Sequence, residues 1–180
     1  MIEDRCPGDG ISSRGFTLIE MIIILGIMAI LLTIAYPNFQ RYYINGNLRS
    51  AARGLIGDFN NQKQRAMTGV KSENPANEGA RAHRILLDLG ANTYTLQMCD
   101  TTDIPCPNWV DISSEIPVKN LNAYGNDVIF DPANTNKLVF DFQTQGTVSD
   151  GTIALTNSRS SKATVNINIS GRTFVEFSMQ

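Results

Sequence analysis

The chain has 180 residues, 42% of them hydrophobic, a formal net charge of −2 and a pI of about 5.3. That length accommodates one ordinary domain plus an appendage, and the charge balance excludes a global electrostatic attraction to nucleic acid or anionic lipid. A single histidine, with no P-loop, Ser-His-Asp set or zinc quartet in view, argues against an enzyme, and no cofactor is expected.

Residues 1–15, MIEDRCPGDGISSRG, form a short polar leader. Residues 16–35, FTLIEMIIILGIMAILLTIA, carry one charge, Glu20. A helix of that length spans about 30 Å, the thickness of the hydrocarbon core. A secretory signal peptide has a shorter apolar region, about 7–15 residues, and ends at small residues. Here the run continues into Ile34-Ala35-Tyr36-Pro37 without such a site. A carboxylate such as Glu20 costs about 2.5–3.5 kcal/mol at the middle of a membrane helix and less near an end. It either snorkels to the interface or serves a function. Arg5 and Arg14 precede the segment and Arg41, Arg49 and Arg53 follow it, so the positive-inside rule does not orient the N-terminus.

Pro37 removes one helical hydrogen bond and is expected to kink the helix. Residues 38–70 keep a helical pattern in which Leu48, Ala52, Leu55, Phe59, Ala66 and Val70 share one apolar face. Gly46, Gly54 and Gly57 each weaken that helix by about 1 kcal/mol relative to Ala, and their small size suits close packing on a sheet or on another subunit. The helix is expected to end near Gly69, before a Pro- and Gly-containing loop at 71–82. The period then changes to two. Strands are expected at His83–Leu89, Thr93–Cys99, Trp109–Ile112, Val128–Phe130, Lys137–Phe142, Thr152–Thr156, Ala163–Ile169 and Arg172–Ser178. Gly90-Ala91-Asn92 and Ser170-Gly171 are turn signals. Val165, Ile167 and Ile169 alternate with Asn166 and Asn168 as in a half-buried strand. Phe140, Phe142, Phe174 and Phe177 are candidate core residues, and His83 is expected to open a strand at the surface. One helix followed only by strands predicts an α+β fold: a long N-terminal helix, transmembrane then amphipathic, packed on an antiparallel β-sheet or sandwich head.

Arg14-Gly15-Phe16-Thr17-Leu18-Ile19-Glu20 resembles the processing site of type IV prepilins and pseudopilins. In that family a membrane peptidase cuts after the glycine on the cytoplasmic side and methylates the new N-terminal Phe. The resemblance implies cleavage between Gly15 and Phe16 and N-methylation of Phe16. It makes Glu20 the fifth mature residue, an acid that pairs with the free amine of a neighbouring subunit and guides assembly. Pro37 matches a proline common near the end of the membrane segment. The implied organisation is a cleaved leader at 1–15, a transmembrane assembly helix at 16–37, an amphipathic helix at 38–70 and an extracytoplasmic β-rich head at 71–180. The implied location is the bacterial inner membrane with a periplasmic head, then a pilus or pseudopilus. The implied partners are other pilins or pseudopilins and the prepilin peptidase. The segments 138–147 and 151–155, with the closing Ile169-Ser170-Gly171-Arg172, resemble the GspH/FimT branch. Its members are minor subunits that start or cap a type IV pilus or a type II secretion pseudopilus. A major shaft pilin is the alternative within the family.

Three cysteines are present. Removal of the leader removes Cys6 and leaves Cys99 and Cys106, for which a disulfide is the natural state in an extracytoplasmic head. A metal site using Cys99, Asp100, Asp103 and Cys106 is the alternative, though its spacing matches no standard zinc pattern. Some FimT-type pilins bind DNA through Gly-Arg-x-Arg; here Gly171-Arg172-Thr173-Phe174 lacks the second arginine, and Arg172 alone is the candidate nucleic-acid contact. Asp127 and Asp131 either hold a calcium ion or make turns.

Overall fold

The computed structural model describes residues 16–68, 82–99, 106–112, 118–143 and 148–180. The first element is a single helix, α1, at Leu18–Thr68, and Pro37 lies inside it. Two compact units divide the chain, one ending at Gln40 and one running from Arg41 to Gln180. In the first unit every described residue is exposed, including the large side chains of Ile22, Leu25, Leu31 and Ile34. A helix apolar all round and exposed along its length needs lipid or other helices to cover it. It is long and apolar enough to cross a membrane.

In the second unit α1 is amphipathic. Leu48, Ala51, Ala52, Leu55, Phe59, Gln62 and Ala66 are buried, at the three- and four-residue spacings of one helix face. Of the predicted face only Val70 falls outside the described residues, as do Gly69 and residues 71–81 of the predicted loop. Phe59 meets Phe140 edge-on at 5.0 Å and Phe142 at 5.6 Å between ring centroids. Burying a side chain of this size contributes about 1.5–3 kcal/mol, and edge-to-face pairing adds about 0.5–1.5 kcal/mol.

Among the described residues nine strands form two antiparallel sheets. They are β1 (Ala82–Asp88), β2 (Thr93–Cys99), β3 (Trp109–Asp111), β4 (Val118–Asn120), β5 (Ile129–Phe130), β6 (Val139–Gln143), β7 (Gly151–Thr156), β8 (Lys162–Ile167) and β9 (Thr173–Ser178). The first sheet has the order β3-β2-β1-β6, and β4 pairs with β2 beyond the end of β3. The second has the order β5-β7-β8-β9. Ile85, Leu87, Tyr94, Leu96, Phe140 and Phe142 from the first sheet join Ile153, Leu155, Ala163, Val165 and Ile167 from the second in one core with α1. The fold is therefore α+β, a long N-terminal helix packed on antiparallel sheets, as the sequence pattern predicts.

Several expectations need correction. β4 has only three residues, too short for its alternation to register, and it does not figure among the expected strands. A 3₁₀ turn at Leu121–Tyr124 follows it. Phe174 is not core but 51% exposed, whereas Phe177 is half-buried against the core. The two are three residues apart, and a strand of period two sends them to opposite faces. Ile169 is also exposed, because β8 ends at Ile167 and the next residues turn. His83 does lie at the start of a strand, but it is buried rather than at the surface. Of Gly46, Gly54 and Gly57, Gly54 alone meets another element, with the Tyr124 hydroxyl in the space a Cβ would take; Gly46 and Gly57 face open space.

Asn92 joins the two halves of the head. It sits in the β1–β2 turn at φ +57°, a conformation Asn tolerates better than most residues. Its amide donates to Asn122 Oδ1 at 3.0 Å and to the Val128 carbonyl at 2.8 Å, and its Oδ1 accepts from the Phe130 amide at 3.0 Å. A hairpin turn of the first sheet is thereby tied to the strand that edges the second.

Candidate functional site

The chemistry of α1 is concentrated at its start. Thr17 precedes the first helical residue, and Glu20 lies in the first turn. The first four N–H groups of any helix lack partners within it. Here the Thr17 amide and the Thr17 hydroxyl both donate to Glu20 Oε2 at 3.0 Å. The Glu20 amide donates back to Thr17 Oγ1 at 3.3 Å. This reciprocal pattern is a capping box, which the Thr-x-x-Glu spacing permits. Phe16 stands just before it, exposed; Gly15 and the rest of the leader lie outside the described residues. Pro37 is exposed within α1, in the same unit as Phe16 and Glu20.

The remaining candidate residues lie in the head. Cys99, at the end of β2, and Cys106, just before β3, are joined by a disulfide with their Cα atoms 5.8 Å apart. With both sulfurs in that bond, the four-residue metal reading loses its two thiolates; Asp100 and Asp103 lie outside the described residues. The bridge sits beside the β2–β3 pairing of Cys99 with Trp109, and Arg84 of β1 stacks 3.8 Å from the Trp109 ring centroid. Arg84 also pairs with Asp141 of β6 at 2.7 Å.

Arg172 is exposed and follows Gly171, whose φ of +66° and closeness to Lys63 and Val148 leave no room for a side chain. Asn168 Oδ1 accepts from the Arg172 amide at 2.9 Å, so the backbone at this turn is held from within. The nearby Lys63 ammonium donates to the Ser170 carbonyl at 2.7 Å. Asp131 makes a turn: it accepts from the Ala133 amide and the Asn134 side chain and pairs with Lys162 at 3.1 Å. The Asn134 hydrogen bond, then Lys162, hold its carboxyl below the usual range. Among the described residues no three His, Cys, Asp or Glu side chains converge as metal ligands would.

Two polar networks have no counterpart in the sequence-based expectations. Asp58 of α1 accepts from the Tyr94 hydroxyl and from Lys119 Nζ, both at 2.6 Å, and so ties the helix to β2 and β4. Burial and the Asp58 carboxylate push the Tyr94 phenol well above its ordinary range. Gln62 of α1 meets His83 of β1, with Oε1 and Nδ1 2.9 Å apart. Both are buried, and burial, then the charge of Arg65, lower His83 from 6.5 to about 4. The sequence signal for Asp58 is an acid within a helix otherwise rich in Arg and Lys; for Gln62 it is a polar residue at the spacing of the apolar face.

A family profile described as the prokaryotic N-terminal methylation motif matches residues 12–36. The match contains Gly15, Phe16, Thr17 and Glu20 and ends just before Pro37. The fold is similar to that of the minor pseudopilin EpsH from the type 2 secretion system of Vibrio cholerae, with a TM-score of 0.54 at 9% identity over 73% of this chain and 97% of that one. The chain carries that methylation motif at its start and shares the fold of that pseudopilin. No curated protein matches this chain.

Proposed function

We propose that this pilin-like chain is a minor pilin or pseudopilin that assembles through its N-terminal helix and helps start or cap a type IV pilus or a type II secretion pseudopilus. Cleavage between Gly15 and Phe16 and methylation of Phe16 yield the mature subunit. It is held in the inner membrane with its head in the periplasm until neighbouring subunits take up the helix. The observation that carries this reading is an exposed, all-round apolar helix whose first turn holds a single acid, within the matched motif. Such a helix, exposed at every described residue up to Gln40, calls for lipid or other helices around it, and an acid in apolar surroundings is relieved by an opposite charge. The free amine of Phe16 on an adjacent subunit supplies that charge. The likeness of the head to a minor pseudopilin supports the minor role.

Mass spectrometry of the mature protein tests the processing: an N-terminus of methylated Phe16 is expected, and any other start overturns it. Glu20→Ala is expected to leave cleavage largely intact and to abolish assembly, read as filament formation or secretion. Normal assembly of that variant counts against the pairing.

A further inference from the structure

We propose that Thr17 is a positioning residue for Glu20: it holds one carboxylate oxygen against the chain's own helix start and leaves the other for a neighbouring subunit. This rests on the proposed function in one respect only, the use of Glu20 by a neighbour. The capping itself rests on the hydrogen bonds.

Both donors of Thr17 converge on the same atom, Glu20 Oε2, at 3.0 Å. Among the described residues nothing donates to Oε1. A carboxylate offers about four acceptor sites, so Oε1 and the remaining lone pair stay free for a cation without breaking the cap. Fixing Oε2 also fixes the side-chain torsions, and with them the direction in which Oε1 leaves the helix. Glu20 is an unbranched side chain with three rotatable bonds; unrestrained, it would lose that freedom only on meeting its partner. Thr17 removes much of that cost in advance, the general benefit of preorganisation.

The cap also matters before assembly. In hydrocarbon an unsatisfied amide or carboxylate is costly because water is absent. The box satisfies the Thr17 and Glu20 amides and gives the carboxylate two donors within one helical turn. A subunit waiting in the membrane is therefore not left with a bare charge. Its helix begins at Leu18 whether or not a neighbour is present.

Three substitutions separate capping from charge. Thr17→Val keeps the shape and removes the hydroxyl. Thr17→Ser keeps the hydroxyl. Glu20→Gln keeps an acceptor at the position where Gln also closes a capping box, and removes the charge. The readout is amide hydrogen exchange at residues 17 and 20 of the full chain in detergent micelles, alongside assembly in cells. In Thr17→Val the residue-20 amide is expected to exchange about fivefold to tenfold faster, in keeping with the loss of one cap, and assembly to fall. Thr17→Ser restores both. Glu20→Gln keeps slow exchange at residue 17, whereas Glu20→Ala loses it. Unchanged exchange at residue 20 in Thr17→Val, or equal exchange in the Gln and Ala variants, overturns the proposal. Normal assembly of Glu20→Gln with slow exchange retained supports the capping and overturns instead the charge pairing between Glu20 and the Phe16 amine.

Discussion

A histidine enclosed between a helix and a strand makes the head sensitive to acid. His83 is 1% exposed, and among the described residues its partner is the Gln62 side chain; its Nε2 and the Gln62 Nε2 have none there. Burial and the nearby Arg65 cation keep the ring neutral in the folded state down to about pH 4, against 6.5 when unfolded. The unfolded chain thus binds more protons across that window, and stability rises with pH through it. The contribution is complete above the unfolded value and declines as pH falls from 6.5 towards 4, by about 3 kcal/mol at the lower end. Asp131 acts in the same direction at lower pH, since its carboxyl is held below 3.8 by Asn134 and Lys162. Denaturation of the full chain in micelles, followed by the single Trp109, is expected to show this loss, and His83→Gln is expected to flatten the profile between pH 6.5 and 4. A wild-type midpoint constant over that range would contradict the account.

Elements differ in what they ask of residues that look alike. Gly54 and Gly57 lie one turn apart on α1, and helix propensity treats them alike. The tertiary surroundings do not. At Gly54 an added methyl meets the Tyr124 hydroxyl. At Gly57 it meets nothing. Gly57→Ala is expected to stabilise by up to about 1 kcal/mol through helix propensity. Gly54→Ala is expected to destabilise by about 1–3 kcal/mol through overpacking. Opposite shifts in the denaturation midpoint are the result to look for; two stabilising substitutions would mean that Tyr124 swings away freely. The sheet elements show the same division. The alternation in β8 reads correctly for Val165 and Ile167, which are buried, and fails at Ile169 because the strand has already ended.

At the scale of the molecule, the disulfide closes a short loop at the end of the first sheet, with a sequence separation of 7 between Cys99 and Cys106. Constraining so short a loop in the unfolded chain contributes about 2.5 kcal/mol in the chain-entropy description. Reduction, or the Cys99→Ser and Cys106→Ser pair, is expected to lower head stability by about that amount and to leave membrane insertion unchanged, since the apolar segment belongs to the other compact unit. Chemical denaturation with and without reductant, together with carbonate extraction of membranes, measures the two separately. Loss of membrane association on reduction would refute that independence.

Much of the N-terminal motif and of the fold is legible in the sequence by itself. A run of apolar residues is one-dimensional information, and so are the Gly-Phe junction, the acid four residues after it and the proline beyond. The same holds for the period of α1 from Leu48 to Ala66 and for most strands. Thr17 and Glu20 belong here too, because capping depends on a spacing of three and not on distant contacts. What tertiary structure alone decided were the pairings between elements far apart in sequence: Asp58 with Tyr94 and Lys119, Gln62 with His83, Asn92 with Val128 and Phe130. It also decided which glycine of α1 is enclosed and which phenylalanine of β9 faces water. Local spacing states what a residue can do; burial and partners, which depend on the whole chain, determine which of those possibilities has the lowest free energy.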